Sequence, residues 1–398
     1  MVVDSTAEGP AWLLSAVPGL SDLVSALQSA GYRVIGPRRS GGVIELGEIQ
    51  SADELPFGWG VELSPGGYRL RERSDRAAFG HSAGPQSWKQ FLHPPRERLW
   101  SAQRSDTGGF AAETAEPEAR PLAFLGVRPC DLRAIQMQDE ILGAPRHPGS
   151  GYASRRASVL VIAVNCTEPG ETCFCTSMGT GPRAGAGYDL LLTELAGPGE
   201  HEFVVQPGSA AGEAVVAGLT LQPASAAAAG RADAAVEAAA GQMGRVMAAD
   251  GLRDLLAGSL DAARWDDVAA RCLTCGNCTM ACPTCFCTTV EDSTDLTGDH
   301  AERWQTWASC FDLEFTYLHG GPVRSSGVSR YRQWLTHKLG TWHDQFGSSG
   351  CVGCGRCIVW CPVGIDITEE VAALRAEQGT AGTTSSTAGP GTGQGGPP

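Results

Sequence analysis

Two segments of this chain repeat the same arrangement of four cysteines followed by proline, C-x2-C-x2-C-x3-C-P. The repeats consist of Cys272, Cys275, Cys278 and Cys282 with Pro283, and of Cys351, Cys354, Cys357 and Cys361 with Pro362. Three thiolates on one tight loop suit three irons of a cubane, and a fourth at a helix start reaches a neighbouring cluster. Structural zinc typically uses two separated C-x2-C pairs and needs neither the third cysteine nor the proline. The doubled pattern therefore predicts two 4Fe–4S clusters.

The spacing is that of bacterial ferredoxins, in which the fourth cysteine of each run binds the cluster of the other run. On this pattern, the ligands of one cluster are Cys272, Cys275, Cys278 and Cys361. The ligands of the other are Cys351, Cys354, Cys357 and Cys282. Because residues 283–350 separate Cys282 from Cys351, we expect the ferredoxin-like module to be split by a folded insertion at 288–350.

Composition and charge limit the kinds of molecule that this chain is expected to bind. The chain of 398 residues has a formal net charge of −14, which disfavours nucleic acid or an anionic membrane as its main partner. Its first residues lack the pattern of a signal peptide, and no apolar run approaches the ~20 residues of a membrane span. We therefore expect a soluble, cytoplasmic protein. In a reducing compartment, 15 cysteines indicate metal or redox chemistry rather than structural disulfides.

The N-terminal half has an α/β pattern. Apolar runs at residues 121–127 and 158–164 suit buried strands, and the segment between them starts with Pro129 and Asp131, which favour a first helical turn. Two strands flanking a helix predict a parallel βαβ unit. Residues 87–100 are predicted to form a helix that is interrupted at its proline pair.

These patterns predict an α+β protein. Its N-terminal α/β domain has a short, partly parallel sheet, and a mostly helical, ferredoxin-like dicluster domain with a long insertion follows. The connector between them is rich in helix formers, and the tail is dominated by Gly, Thr, Ser and Pro. The predicted boundaries are a loose leader at 1–18, the α/β domain at 19–206, a helical connector at 207–264, the dicluster domain at 265–378 and a disordered tail at 379–398.

Seven cysteines lie outside the two runs, and four of them follow predicted strands. Cys130 follows the first strand of the βαβ unit, Cys166 follows the second, and Cys173 and Cys175 continue the loop after Cys166. If the strands are parallel neighbours, these thiols meet at the sheet edge where ligands usually bind. They are predicted to hold a third iron–sulfur cluster, and the alternative is thiols with no ligand role.

The remaining three cysteines are Cys285, Cys287 and Cys310. The first two repeat the C-F-C pattern of residues 173–175 and are alternative ligands for the third site. Cys310 is better explained as a small buried apolar residue.

Other patterns carry less information. The glycine-rich residues 179–187 open no helix and depart from the dinucleotide fingerprint. The histidines are not needed as ligands, because two cysteine sets are already complete. One basic stretch is explained either as a solvated helix or as a docking face for an acidic partner. It contains Arg324, Arg330, Arg332, His337, Lys338 and His343.

Residues 265–366 resemble the iron–sulfur β subunit of cytoplasmic, NAD(P)-linked nickel–iron hydrogenases (sulfhydrogenases), and also the first, iron–sulfur component of anaerobic sulfite reductase. The segments GVRPCDLRAI at 126–135 and NCTEPGETCFCTSMGTGP at 165–182 are similar to the N-terminal half of that family. The resemblance implies a hetero-oligomer in which this subunit relays electrons. The implied partners are a flavin subunit that handles NAD(P)H and the small subunit beside the nickel–iron centre.

The leading hypothesis is thus an electron-transfer subunit without a catalytic site of its own. It carries two 4Fe–4S clusters, and a third if the N-terminal thiols bind one. Two alternatives are the corresponding component of an anaerobic sulfite reductase and a flavin-dependent oxidoreductase whose α/β domain feeds the clusters.

Overall fold

The computed structural model describes residues 10–106, 108–114, 121–143, 151–197 and 200–385. Within these ranges the strands are β1 (Trp12–Ser15), β2 (Arg33–Ser40), β3 (Val43–Glu48), β4 (Trp59–Ser64), β5 (Gly67–Glu72), β6 (Arg96–Arg104), β7 (Phe110–Thr114), β8 (Leu122–Val127), β9 (Val159–Val164), β10 (Leu190–Gly197), β11 (Glu200–Pro207), β12 (Gln222–Pro223), β13 (Thr288–Thr294), β14 (His300–Trp307), β15 (Tyr317–Leu318) and β16 (Gly321–Pro322). The α-helices are α1 (Ala16–Ser29), α2 (Lys89–Leu92), α3 (Pro129–Leu142), α4 (Gly151–Ala157), α5 (Ala210–Ala217), α6 (Ala226–Ala240), α7 (Leu252–Ala257), α8 (Arg264–Arg271), α9 (Asn277–Met280), α10 (Gly327–Thr336), α11 (Trp342–Phe346), α12 (Arg356–Val359) and α13 (Ile367–Ser385).

An eight-stranded mixed sheet forms the N-terminal half, in the order β12-β1-β11-β10-β9-β8-β2-β3. Its four central strands, β10, β9, β8 and β2, are parallel, and the outer pairs are antiparallel. Strand β9 reads VLVIAV and is buried throughout, as a central strand covered on both faces should be. The predicted parallel βαβ unit of β8, α3 and β9 and the predicted α+β class are confirmed.

Helices cover both faces of this sheet because alternate strand residues point in opposite directions. Helix α1 packs Leu20, Leu23 and Leu27 against the face that carries Leu160 and Ile162. Helix α3 packs on the other face, which carries Phe124 and Val161. It starts with proline, whose missing N–H costs nothing in a first helical turn.

The C-terminal half has an aromatic core formed by Trp265, Phe311, Tyr331 and Trp334, with cysteines of both runs packed against it. A second sheet, in the order β13-β14-β6-β7, joins this half to the N-terminal half. Strand β14 of the insertion pairs with β6, so that Arg303 lies opposite Trp100.

The prediction of an interrupted helix at residues 87–100 is wrong after its prolines. Helix α2 ends at Leu92, and residues 96–104 form β6. The strand forms because β14 supplies a hydrogen-bonding partner from a distant part of the chain, which outweighs local preference.

Ordered helices or strands lie in three of the predicted segments: the leader, the connector and the tail. Strand β1 and the start of α1 occupy part of the segment predicted as a leader, and α6 of the predicted connector packs on β10 and β11. Helix α13 continues into the predicted tail as far as Ser385, and residues 386–398 of that tail lie outside the described residues.

Candidate metal centre

The first cysteine set, Cys272, Cys275, Cys278 and Cys361, lines one cavity. Three members come from the first run, and the fourth, Cys361, comes from the second run. The cavity walls are apolar and include Phe311, Tyr331, Trp334, Ile365 and Ile367. The structure brings these four thiols together, and Cys357 of the second run also lines the cavity.

The two runs have the same backbone geometry. Thr274 and Gly276 of the first loop and Gly353 and Gly355 of the second all have positive φ, between 50° and 75°. Each loop is then followed by a short helix, α9 or α12. Left-handed residues at these positions turn backbone N–H groups toward the sulfur atoms.

Three such hydrogen bonds are present. The N–H of Thr274 donates to Cys272 Sγ at 3.4 Å, and the N–H of Gly353 donates to Cys351 Sγ at 3.4 Å. The N–H of Ile365 donates to Cys361 Sγ at 3.3 Å. Amide donors aimed at sulfur stabilise thiolates and the net negative charge of a cluster, so the loops suit a cubane.

The second cysteine set is Cys351, Cys354, Cys357 and Cys282. Burial raises the pKa of Cys357 well above its usual range, and negative charge on Cys351, Cys354 and Cys282 raises it further. These thiols thus lie within electrostatic reach of one another. Removing the proton from such buried thiols is costly, and a bound metal that replaces the protons relieves that cost.

Cys282 differs in its pKa from the other three thiols of the second set. A hydrogen bond from Cys285, followed by the charge of Lys338, holds the pKa of Cys282 well below its usual range. Lys338 Nζ lies 3.3 Å from Cys282 Sγ. The ammonium of Lys338 therefore favours the thiolate form of Cys282.

The N-terminal cysteine set is Cys130, Cys166, Cys173 and Cys175, and all four line one cavity. Strands β8 and β9 are parallel neighbours, so Cys130 and Cys166 leave the same sheet edge. The opposite wall comes from the second run and includes Gly353, Cys354 and Arg356. The structure brings the four predicted thiols together, beside a ligand of the second set.

The surroundings of this cavity fit an anionic metal cluster. Burial raises the pKa of all four thiols and brings that of Cys173 to about 12. Arg128 lines the cavity and is only 8 % exposed. Its guanidinium donates to the backbone oxygens of Phe79 and His81, while its Nε has no hydrogen-bond partner. Among the described residues no carboxylate pairs with Arg128, so this buried cation lacks the counter-charge that a thiolate-bound cluster would supply.

A buried ion pair fixes the second run against the N-terminal sheet. Arg356 donates to both carboxylate oxygens of Asp131, at 2.8 and 2.9 Å. Both side chains are almost fully buried. Asp131 lies in the first turn of α3, next to Cys130, so the pair positions two cysteine sets relative to each other.

The other cysteines lie elsewhere. Cys285 contacts Cys282, and the backbone oxygen of Cys287 accepts from the N–H of Ala308 at 2.9 Å. Neither lines the N-terminal cavity, so the alternative in which they replace members of that set gains no support. Cys310 is partly buried against the C-terminal core, close to Cys278.

The basic stretch does not form one surface. Lys338 is buried, Arg330 donates to the backbone oxygen of Phe311, and Arg332 donates to that of Leu260. A docking face made of the whole stretch is therefore wrong, because Lys338 is buried, while Arg330 and Arg332 stay partly exposed. Sequence reasoning missed the roles of Lys338 and of the Asp131–Arg356 pair.

No helix in the described residues is long and apolar enough to cross a membrane. No three histidine, cysteine or acidic side chains in the described part of the chain converge as the ligands of a single metal ion would.

The chain is similar to known iron–sulfur proteins. Residues 271–365 match the family of 4Fe–4S dicluster domains. The chain is 28 % identical to the β subunit of sulfhydrogenase 2 from Pyrococcus furiosus over 343 residues, which cover 84 % of this chain and 90 % of that subunit. No solved structure matches the chain.

Proposed function

We propose that this hydrogenase β-subunit-like iron–sulfur protein relays electrons through three 4Fe–4S clusters. The first and second cysteine sets hold two of them with crossed fourth ligands, and the N-terminal cysteine set holds the third. When bound, these clusters supply one-electron transfer. The chain itself provides ligands, exclusion of water and fixed charges.

The observation that carries the proposal is the order of the three sets. Cys357 of the second set lines the cavity of the first set, and Cys354 of the second set lines the N-terminal cavity. The second set therefore lies between the other two. A row of three centres supports entry and exit of electrons at different ends, which a relay between two partners needs.

One end of this row is accessible. Cys275 is exposed, and the neighbouring Leu273 and Val363 are exposed apolar residues that line the same cavity. A ligand thiol among exposed apolar side chains favours a partner that covers the first set and brings its own redox centre close.

The partners follow from similarity to the sulfhydrogenase β subunit. We propose a hetero-oligomer in which a flavin subunit that handles NAD(P)H and a nickel–iron hydrogenase small subunit contact this chain.

Iron and acid-labile sulfide counting on the full chain, reconstituted without oxygen, tests the cluster content. Three cubanes give about twelve irons per chain, and the Cys166→Ser/Cys173→Ser double variant should fall to about eight. The exposed Cys275 offers the matched comparison, because Cys275→Ser should disturb only the first set. Eight irons in the unmodified chain would remove the third cluster from the proposal, and zinc in place of iron would overturn it.

Isolation of a tagged chain from its source tests the relay. A flavoprotein and a hydrogenase small subunit should co-purify, and hydrogen should bleach the visible absorption of the clusters. Flavin bound to this chain itself, or a sulfite-reducing partner, would favour the corresponding alternative function.

A further inference from the structure

The two lysines of the chain occupy related positions. Lys89 and Lys338 are the lysines among 30 Lys and Arg residues. They are 5 % and 3 % exposed, and both lie beside the segment that runs from Cys282 to Cys287. Lysine is almost never fully buried unless it is paired, so two such residues at one place require an explanation.

The ammonium group of Lys338 has three hydrogen-bond acceptors around it. Nζ lies 3.3 Å from Cys282 Sγ, 3.1 Å from Thr284 Oγ1 and 3.2 Å from the backbone oxygen of Gly350. Three acceptors match the three N–H bonds of a protonated lysine. No carboxylate in the described residues forms an ion pair with Lys338, so sulfur is its anionic neighbour.

The backbone holds this cation rigidly. Lys338 lies in a π-helical turn, His337–Thr341, between α10 and α11. Such turns insert an extra residue into a helix and frequently mark functional sites. The N–H of Gly350 donates to the backbone oxygen of Lys338 at 2.8 Å, which ties the turn to the start of the second run.

The first set has no equivalent cation among the described residues. Its crossing ligand, Cys361, receives a backbone N–H from Ile365. Arg330 acts on Cys272 from a distance, but it is partly exposed and donates to the backbone oxygens of Ser326 and Phe311. Water screens a partly exposed charge much more than a buried one. Two sets with matching loops thus differ in buried charge.

We propose that Lys338 is a positioning residue that raises the reduction potential of the cluster on the second set above that of the cluster on the first set. One-electron reduction adds one negative charge to a cluster without making or breaking a bond. A fixed ammonium stabilises that added charge, because net charge and hydrogen bonds to sulfur set cluster potentials. This inference rests on the proposed relay, and of the first and second clusters it makes the second the one that holds an electron more readily.

The test is a dithionite potentiometric titration of the reconstituted full chain, followed by electron paramagnetic resonance. In Lys338→Met, the midpoint potential of one cluster should shift to more negative values, with iron content and the other midpoints unchanged. The variant Cys361→Ser shows which midpoint potential belongs to the cluster on the first set. That potential should not shift in Lys338→Met. Lys338→Arg should restore most of the potential.

Lys89→Met is the matched control, because Lys89 is equally buried but donates to the backbone oxygen of Cys285 instead of to a sulfur atom. Its shift should be clearly smaller. If Lys338→Met loses iron, Lys338→Gln keeps a donor near Cys282 and removes only the charge. A fully loaded Lys338→Met or Lys338→Gln with unchanged midpoints would overturn the inference, whereas an unmodified chain without clusters would instead contradict the proposed function.

Discussion

Cys361 lies far along the chain from Cys272, Cys275 and Cys278, yet it lines the same cavity. Its sulfur accepts from the N–H of Ile365, and Pro362 beside it lines the same cavity. The second run thus contributes to the cavity of the first. At the scale of residues, we propose that each run takes its fourth ligand from the other.

Replacing Cys361 by alanine should therefore damage the cluster of Cys272, Cys275 and Cys278 and spare that of the second run. We expect about four irons to be lost or the first cubane to be converted to a three-iron form. Paramagnetic resonance of the reduced variant measures which signal survives. Cys310→Ala is the control, since Cys310 is near Cys278 but outside the set. Loss confined to the Cys351 cluster would refute the crossed assignment.

The second run contacts the loop of the N-terminal thiols directly. The N–H of Phe174 donates to the backbone oxygen of Gly353 at 2.8 Å. A Cβ at Gly353 would lie 2.6 Å from the oxygen of Phe174 and 2.7 Å from Cys175 Cα. At the scale of elements, this loop can approach only because position 353 has no side chain.

Gly353→Ala should therefore destabilise the protein by well over the roughly 1–2 kcal/mol that positive φ alone costs an alanine. It should also lower iron content at both the second and the N-terminal sets. Melting temperature and iron counting measure these effects. Gly347→Ala separates the causes, because its φ is 73° but nothing lies within 4 Å of an added Cβ. Equal effects of the two substitutions would mean that this contact is unimportant.

The two halves of the molecule are joined in several places. Strands β6 and β14 share a sheet, Arg356 pairs with Asp131, and the β4–β5 turn contacts the second run through Gly66. The last two contacts involve the second run, which carries thiols. At the scale of the whole molecule, we expect the sheet and the clusters to unfold together.

Leu20→Ala tests this cooperation from a distance. Leu20 is fully buried in the core under α1, and its truncation should cost about 2–5 kcal/mol. The melting temperature seen by circular dichroism and the temperature of visible cluster loss should fall in parallel. Leu296→Ala, at a fully exposed position, should change neither. A cluster that survives an earlier unfolding of the sheet would indicate independent halves.

The sequence by itself determined the features that depend on short spacing. The cysteine runs specify their loops because a few residues between ligands leave little conformational choice, and apolar runs predict β8 and β9. Parallel pairing of those strands then explains why Cys130 and Cys166 meet.

Only the tertiary structure decided the features that join distant segments. The pairing of β6 with β14 turned a predicted helix into a strand, and the fold buried Lys338 beside Cys282 and Arg356 beside Asp131. Local patterns describe these cations as ordinary surface residues. Their role depends on which anionic groups the fold brings within a few ångströms, and burial then strengthens that attraction by excluding water.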